Sequence, residues 1–162
     1  IMYGEEEFEN FELYLEWKIP KGGNSGIYYH IKEGYGGFAD MAPEYQLLDD
    51  ENYAEIHDYE LKDWQLTAAD YAMHVPDTTQ KVLYPPGQWN SSRIIFTSNN
   101  VEHWLNDKKV LSFIPWTEQW YEKRNSGKWD NFPDYGKYKK GYIGLQDHGS
   151  NLWFRNIKIK KL

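Results

Sequence analysis

Polar side chains that can carry acid–base chemistry gather in two short stretches of the sequence. Glu44 and Gln46 lie on one predicted strand, and Gln146 and His148 lie next to a turn at Gly149. Because strand side chains alternate between two faces, Glu44 and Gln46 share a face, and so do Gln146 and His148. A carboxylate or an imidazole can accept a proton, and amides can bind hydroxyl groups or a developing oxyanion. We therefore predict that the two stretches converge on one polar pocket.

Arg155 is the cationic candidate for the same pocket. On the last predicted strand it falls in phase with apolar residues that include Ile157 and Ile159. A charge in an apolar row requires an anionic partner or a wet cavity, because an unpaired buried charge is costly. Glu44 and Asp147 are the partners of suitable type. We expect Arg155 to bind a hydroxyl group or an oxyanion, and a structural ion pair is the alternative.

Each remaining candidate also has a structural interpretation. His57 and His103 are expected to contact a substrate, although ion-pair and packing roles also explain isolated histidines. Trp89 offers a flat apolar face for a sugar ring, but core packing explains a tryptophan equally well. Glu44 could likewise serve only as an ion-pair partner, and His148 could cap the turn. These alternatives stay open at the level of sequence.

Several catalytic classes are excluded by residues that the sequence lacks. It contains no cysteine, which excludes thiol catalysis and cysteine-ligated zinc. The five histidines show no HExxH spacing, and no GxSxG nucleophile motif is present. The facing carboxylates that direct-displacement glycosidases use are also missing, because the strand of Glu44 carries Gln46 instead of a second acid. We expect neither a metal nor a cofactor at the site.

The composition favours one domain, residues 1–162, whose many aromatic residues suit carbohydrate binding or, equally, a β-rich core built from large side chains. A chain of 162 residues is long enough to bury a real core. Aromatic residues make up 18% of it, with 8 Trp and 14 Tyr, and such rings suit the apolar faces of sugars. The net charge is −7 and the basic residues are scattered, which argues against nucleic acid as a partner. No apolar run approaches the ~18 residues of a membrane span.

The hydrophobic pattern predicts an all-β fold. Residues 11–18 alternate between apolar and polar, as in a half-buried strand, and residues 92–113 read as a β-meander. Residues 142–147 and 152–160 are predicted to pair as a hairpin, and a short helix is expected near 116–123. Short strands, frequent turns and little helix together favour an antiparallel β-sandwich of the jelly-roll type.

Five blocks of sequence, in order, carry a family resemblance. They are FELYLEWKIPKGGNSGIYYHI, APEYQLLDD, PPGQWNSSRIIF, VEHWLNDKKV and GYIGLQDHGSNLWFRNIKIKKL. Taken together, and nearly end to end, the chain resembles the 3-keto-disaccharide hydrolase domain family. The resemblance implies a concanavalin A-like jelly roll. Family members usually carry further strands before the segment that opens here, so it also implies that N-terminal strands are missing. A second copy of the chain, or an N-terminal segment, is then expected to cover the exposed sheet edge.

The resemblance also implies an activity, which is cleavage of glycosides whose glucose has been oxidised to a ketone at C3. The ketone makes the C2 proton acidic, so that a base can remove it and the C1 oxygen can leave by elimination, with water adding later. Glu44 or His148 would be the base, and Gln46, Gln146 and Arg155 would be the donors. The implied setting is bacterial and extracytoplasmic, either periplasmic or extracellular.

A different class of function uses the same residues. A non-catalytic carbohydrate-binding module, of the lectin or laminin-G type, would present the same aromatic rings and amides on a concave face. A deep pocket around a base with a perturbed pKa favours the enzyme, whereas a shallow open groove favours the module.

Overall fold

Nine strands and two short helices make up the regular structure of the described residues, which are 2–34 and 37–162 of a computed structural model. The strands are β1 (Met2–Tyr3), β2 (Phe11–Lys18), β3 (Asn24–Ile31), β4 (Glu44–Leu48), β5 (Asn90–Thr97), β6 (Asn100–Leu105), β7 (Lys108–Phe113), β8 (Tyr142–Leu145) and β9 (Trp153–Lys161). The helices are α1 (Tyr53–His57) and α2 (Glu118–Arg124), and single 3₁₀ turns span Phe38–Asp40 and Asp63–Gln65.

These strands form two antiparallel sheets, which confirms the predicted β-sandwich. The smaller sheet has the order β1-β8-β3-β4, and the larger has the order β7-β6-β5-β2-β9. The predicted meander is present, because β5 pairs with β6 and β6 pairs with β7. Strand β2 lies in the middle of the larger sheet, where β5 and β9 flank it on either side.

The core lies between the two sheets and follows from the alternation in β2. Phe11, Leu13, Leu15 and Trp17 are at most 2% exposed, whereas the residues between them are only partly buried. Phe11 lies opposite Phe96 of β5 at a ring-centroid distance of 5.7 Å. Burial of such side chains stabilises the fold by about 1.5–3 kcal/mol each. The inward-facing row predicted from the sequence is therefore confirmed.

The predicted C-terminal hairpin is wrong, because β8 and β9 belong to different sheets. Strand β8 pairs with β1 and β3, and β9 pairs with β2. The connection between them crosses from one sheet to the other. Turn-forming residues between two strands signal a change of direction, and they do not distinguish a hairpin from a crossing between packed sheets.

A β-bulge in β9 overturns the predicted phase of Arg155. Asn156 has a left-handed backbone with φ of 53°, at the point where the pairing with β2 shifts. Arg155 pairs with Glu16, which faces outward, whereas Ile159 pairs with the buried Leu13. An extra residue in a strand reverses the faces beyond it. Arg155 therefore lies on the solvent side and not in the apolar row.

One of the two helices was predicted. Helix α2 falls where the sequence predicts it, and the Thr117 side chain accepts a hydrogen bond from the Trp120 amide at 3.2 Å, as an N-cap does. Helix α1 was not predicted, because its five residues include no buried side chain and hence no apolar period. Within residues 2–34 and 37–162, none of the helices combines the length and the apolar composition needed to cross a membrane.

Strand β9 is an outer strand of its sheet among the described residues, and an apolar groove of about 330 Å³ runs beside it. Ile157 and Ile159 line the groove and are 54% and 39% exposed. An exposed apolar edge favours association with another strand. Its coverage by a second copy or by a further N-terminal segment stays a prediction.

Candidate active site

The floor of the candidate site is the outward face of the smaller sheet. Tyr28 pairs with Glu44, and Gly26 pairs with Gln46, so these four residues share that face. The backbone N–H of Gln146 donates to the Gly26 carbonyl at 2.9 Å, which continues the pairing of β8 with β3 beyond the end of β8. Strand alternation places Glu44 and Gln46 on this face, and the pairing of Gln146 with Gly26 brings the second polar stretch of the sequence next to them.

A cavity of about 310 Å³ covers this floor. Its lining residues come from the smaller sheet and the residues after β8, from the 3₁₀ turn at Phe38–Asp40, from α1 and the segment that follows it, and from the loop after α2. They are Asn24, Tyr28, Ala39, Glu44, Gln46, Leu48, Tyr53, Tyr59, Leu61, Gln65, Tyr71, Lys128, Trp129, Gln146 and His148. Ligand pockets usually measure about 300–1,000 Å³. The cavity therefore fits a small ligand with many polar groups.

Glu44 is the one carboxylate among the described lining residues, and it is only 5% exposed. Its Oε1 atom is buried and has no hydrogen-bond partner among the described residues. Burial raises the pKa of Glu44 to about 8, and the Tyr28 hydrogen bond and the positive charge of Lys128 oppose that increase. A glutamate of this kind can act as a base close to neutral pH.

Tyr28 connects Glu44 to Gln146. The Gln146 Nε2 donates to the Tyr28 hydroxyl at 2.8 Å, and that hydroxyl in turn hydrogen-bonds to Glu44. Burial raises the pKa of Tyr28, so the hydroxyl keeps its proton and remains a donor. The chain of hydrogen bonds fixes the carboxylate while leaving Oε1 unpaired, and the Oε1 of Gln146 is also buried without a partner.

Gly26 provides the space that the carboxylate occupies. A Cβ atom at this position would lie 1.8 Å from Oε1 and 2.6 Å from Cδ of Glu44. Real atoms do not approach this closely, so any larger residue would displace the carboxylate or the strand. The absence of a side chain at Gly26 therefore allows the Glu44 carboxylate to lie where it does.

Tyr71 enters the site because its segment extends the smaller sheet. The Tyr71 amide donates to the Glu44 carbonyl at 2.9 Å, and Ala68 and Ala69 exchange hydrogen bonds with Gln46. This pairing covers part of the edge of β4. It also places the Tyr71 ring beside Glu44 as a wall of the cavity.

Lys128 and Trp129 come from the loop between α2 and β8. The Lys128 ammonium lies 4.2 Å from the Tyr71 ring centroid and 4.9 Å from that of Trp129. Trp129 is 3% exposed, donates from Nε1 to the Tyr71 carbonyl at 3.3 Å and stacks on Tyr135 at 3.9 Å. Desolvation lowers the pKa of Lys128, and the negative charge of Glu44 opposes that decrease.

Four of the residues predicted from the sequence therefore lie together. Glu44, Gln46 and Gln146 line the cavity floor, and His148, an exposed residue of the loop after β8, also lines the cavity. Their shared face was inferred from strand alternation. Gln146 and His148 lie beyond the end of β8, so their position depends on the loop and not on strand geometry alone.

Arg155 and Trp89 lie elsewhere, on the outward side of the larger sheet. The Arg155 Nε donates to Oε2 of Glu16 at 2.6 Å, and its guanidinium lies 3.9 Å from the Trp89 ring centroid. The predicted pairing of Arg155 with Glu44 or Asp147 is therefore wrong. Because of the bulge in β9, Arg155 faces solvent and finds its partner on the neighbouring strand.

His57 and His103 are also absent from the cavity lining. His57 lies on α1, with Nε2 2.9 Å from the Gly22 carbonyl. His103 is fully buried between the sheets, with Nδ1 2.9 Å from the Ala68 carbonyl. Burial lowers the pKa of His103 to about 4, so it is neutral at physiological pH. Both histidines contact backbone carbonyls, as structural residues do.

The sequence predictions did not include four residues that line the cavity with Glu44: Tyr28, Tyr71, Lys128 and Trp129. Tyr28 carries a local signal, because it lies in the apolar and aromatic run IYYHI, whose composition is typical of a strand. The other three carry no local signal. They reach the cavity from irregular segments whose paths depend on tertiary contacts.

The lining residues limit the chemistry of the site. Direct displacement at a glycosidic carbon uses two carboxylates, and the described part of the lining offers only Glu44. Within residues 2–34 and 37–162, no group of three or more His, Asp or Glu side chains is placed to hold a metal ion. The site provides one buried base, several amide and hydroxyl groups, one lysine and one exposed imidazole.

A comparison with protein families assigns the chain. The family model described as a 3-keto-alpha-glucoside-1,2-lyase-like domain matches residues 1–160. The chain belongs to this family. It is 37% identical over 177 residues to a curated 3-keto-disaccharide hydrolase of Bacteroides thetaiotaomicron. The match covers 96% of this chain and 60% of that protein, so the chain spans about three fifths of the curated relative's length.

Two solved structures from Parabacteroides distasonis are similar to this chain over almost its whole length. One proposed glycosyl hydrolase superimposes with a TM-score of 0.91 at 46% identity, covering 99% of this chain and 75% of its own. A second proposed glycosyl hydrolase gives a TM-score of 0.74 at 27% identity, with coverages of 99% and 82%. Two further proteins therefore share the fold of this chain.

A carbohydrate-binding module shares the fold of this chain at low sequence identity. The carbohydrate-binding module CBM66 of Bacillus subtilis superimposes with a TM-score of 0.60 at 11% identity, covering 98% of this chain and 80% of the module. At this identity the likeness concerns the fold only. It agrees with the β-sandwich jelly roll predicted from the strand pattern.

Proposed function

We propose that this domain cleaves the bond between C1 and oxygen in glucosides that carry a ketone at C3, beginning with removal of the C2 proton. The observation that carries the proposal is Glu44, a buried carboxylate with an unpaired oxygen and a pKa raised to about 8. The family description and the name of the 37%-identical relative support the same substrate class.

A single carboxylate suffices for this chemistry because the ketone activates the neighbouring C–H bond. When a base takes the C2 proton, the electron pair left behind delocalises onto the C3 oxygen as an enolate. The ketone then re-forms, a C1–C2 double bond appears, and the bond from C1 to the leaving oxygen breaks with its electron pair. The leaving oxygen takes up a proton, and water can add to the unsaturated ketone in a later step.

In this proposal Glu44 is the base and His148 is the acid. Tyr28 and Gln146 hold the Glu44 carboxylate through their chain of hydrogen bonds, and Oε1 remains available for the C2 proton. His148 lines the same cavity and is exposed, so it can protonate the leaving oxygen where the second sugar departs into solvent.

The rest of the lining suits a sugar ring. The Gln46 Nε2 donates to Asn24 Oδ1 at 3.4 Å, and both amides lie on the cavity floor, where hydroxyl groups of a ligand can exchange for this long hydrogen bond. Tyr53, Tyr59 and Trp129 supply aromatic surface to the same cavity. Amides suit the hydroxyl groups of a sugar, and aromatic rings suit its apolar face.

The proposed setting is the periplasm or the exterior of a bacterium. Only the family resemblance supports this location. Fractionation of the native source, followed by immunodetection of the protein, would test it, and a purely cytoplasmic signal would contradict it.

The decisive experiment compares 3-keto-disaccharides with the same disaccharides before oxidation. We expect the wild type to release free sugar from the oxidised forms only. Glu44→Gln, which keeps the shape of the side chain and removes the base, should lower the rate roughly 100-fold or more. Glu51→Gln, at an exposed position outside the cavity, is the matched control and should keep full activity.

The outcomes separate the proposed enzyme from a binding module. Substrate labelled with deuterium at C2 should react more slowly than unlabelled substrate, because the C2–H bond breaks. Binding of both sugar forms without cleavage of either would identify a non-catalytic carbohydrate-binding module. Normal cleavage by Glu44→Gln would show that another residue is the base.

A further inference from the structure

Lys128 is the only lysine or arginine among the described residues that line the cavity. It belongs to an irregular loop, yet its neighbour Trp129 anchors that loop. Trp129 is buried, stacks on Tyr135 at 3.9 Å and donates to the Tyr71 carbonyl at 3.3 Å. The backbone of Lys128 is therefore held in place, although the residue itself is exposed at the rim.

The ammonium group of Lys128 faces Glu44 without contacting it. Lys128 and Glu44 each experience the charge of the other, but no ion pair joins them among the described residues, and Oε1 of Glu44 stays unpaired. The rings of Tyr71 and Trp129, at 4.2 Å and 4.9 Å, hold the ammonium on their faces instead. Both side chains line the same cavity, so a substrate bound there can contact the base and the cation together.

We propose that Lys128 is a catalytic residue whose ammonium binds the C3 oxygen of the substrate and stabilises the enolate that forms when Glu44 removes the C2 proton. This inference rests on the proposed function. The C2 proton passes to Glu44, the C–H electron pair forms the C2–C3 double bond, and the carbonyl pair moves to the oxygen that Lys128 contacts. The same pair returns when the C1–oxygen bond breaks, so Lys128 keeps its proton throughout.

The charges around the cavity support this role. The carboxylates and phenols that act on Lys128 are Glu44, Asp40 and Tyr59, and they favour its protonated form, whereas desolvation lowers its pKa. A C3 hydroxyl, unlike a ketone, develops no negative charge when a base approaches C2. The cation therefore adds selectivity for oxidised sugars. Lys128 thus takes the role of oxyanion donor that was predicted for Arg155, which lies on the larger sheet.

The test separates enolate formation from cleavage. The probe is 1,5-anhydro-3-ketoglucitol, which has the C3 ketone and no glycosidic oxygen at C1. In D₂O the wild type should exchange the C2 proton for deuterium, as followed by NMR. Lys128→Met should slow both this exchange and the cleavage of 3-keto-disaccharides roughly 100-fold or more, mainly in kcat, whereas Lys128→Arg should recover part of the rate.

Lys139→Met is the matched control. Lys139 lies in the same loop and also contacts a tryptophan, 4.9 Å from the Trp116 ring centroid, but it does not line the cavity. We expect its substitution to leave exchange and cleavage within about threefold of the wild type. Thermal unfolding of each variant shows whether it folds, and Lys128→Arg provides a second test if Lys128→Met is unstable.

Each outcome decides a separate question. If the wild type cleaves substrate and Lys128→Met exchanges C2 at the same rate, the role of Lys128 is overturned while the proposed function stands. Borohydride trapping that attaches the sugar to Lys128 would also overturn it, because the amine would then add to the carbonyl as a nucleophile. If the wild type neither exchanges C2 nor cleaves, the proposed function itself is overturned.

Discussion

At the scale of single residues, Glu44 combines two properties that normally oppose each other. It is almost completely buried, and one of its oxygens has no hydrogen-bond partner among the described residues. Burial of an ionisable group without full compensation lowers the stability of the fold. In return, it gives the carboxylate a proton affinity suited to a general base at mildly alkaline pH.

The pH dependence of cleavage follows from this pKa. Burial raises the pKa of Glu44 to about 8, with Tyr28 and Lys128 lowering it and Asp70 raising it further. Because a base must be deprotonated, we expect kcat/KM, which reports ionisation in the unliganded enzyme, to rise about tenfold per pH unit below this value. A pH–rate profile with its acidic limb near the ordinary glutamate value of 4.5 would contradict the assignment.

The same pKa predicts that Glu44→Gln stabilises the fold at alkaline pH. The pKa of Glu44 in the folded state lies above the ordinary 4.5, so its contribution to stability is complete below about 4.5 and is lost as the pH rises to about 8. Glutamine does not ionise and avoids this loss. We expect the variant to gain on the order of a few kcal/mol in unfolding free energy above pH 8, and little near pH 4.5.

Urea unfolding at several pH values measures this difference, with Glu51→Gln as the exposed control. The advantage of Glu44→Gln over the wild type should grow steadily between the two pH values. An advantage that does not change with pH would mean that Glu44 ionises in the folded state as easily as an exposed glutamate.

At the scale of secondary-structure elements, β3 contributes to the site through a position that has no side chain. Its outward face carries Gly26 opposite Gln46, and the missing side chain leaves room for the Glu44 carboxylate. A strand normally avoids glycine in its interior because glycine packs poorly and is conformationally free. Here the close approach of a neighbouring side chain accounts for it.

Gly26→Ala should therefore impair the site more than the fold. The new methyl group would lie 1.8 Å from Oε1 of Glu44, so the carboxylate must move. We expect a loss of about 1–3 kcal/mol in stability and a roughly 100-fold or greater loss of kcat. Gly4→Ala is the control, because nothing lies within 4 Å of a Cβ atom there. Equal activity of the two variants would show that the carboxylate has space to relocate.

At the scale of the whole molecule, the two sheets have separate roles. The cavity lies on the outward face of the smaller sheet, whereas the outward face of the larger sheet carries ion pairs such as that between Arg155 and Glu16. The core between the sheets connects them. Substitutions on the larger sheet's surface should thus affect stability without affecting chemistry.

Arg155→Ala tests this separation directly. It removes the 2.6 Å contact with Glu16 and the contact with the Trp89 ring, and because the Arg155 side chain is half-exposed, we expect only a small loss of stability. The kcat and KM for a 3-keto-disaccharide should stay within about threefold of the wild type. A loss of kcat comparable to that of Glu44→Gln would mean that Arg155 acts on the substrate after all.

Local pattern was enough to determine several features of this protein. Alternation in β2 predicts its buried row, because a strand has only two faces and one of them must be buried. The same rule places Glu44 and Gln46 on a common face. Five blocks of sequence, in order, indicate the family, and the family model matches residues 1–160.

Only the tertiary structure decided which strands pair and which side chains meet. The residues between β8 and β9 suit a hairpin or a crossing between sheets, and packing selects the crossing. A single extra residue at Asn156 turns Arg155 away from the core, since strand phase depends on every residue before it. Lys128 reaches the cavity that contains Glu44 from a loop without periodicity. Its position depends on the buried Trp129, whose hydrogen bond to Tyr71 is a long-range contact that no local pattern encodes.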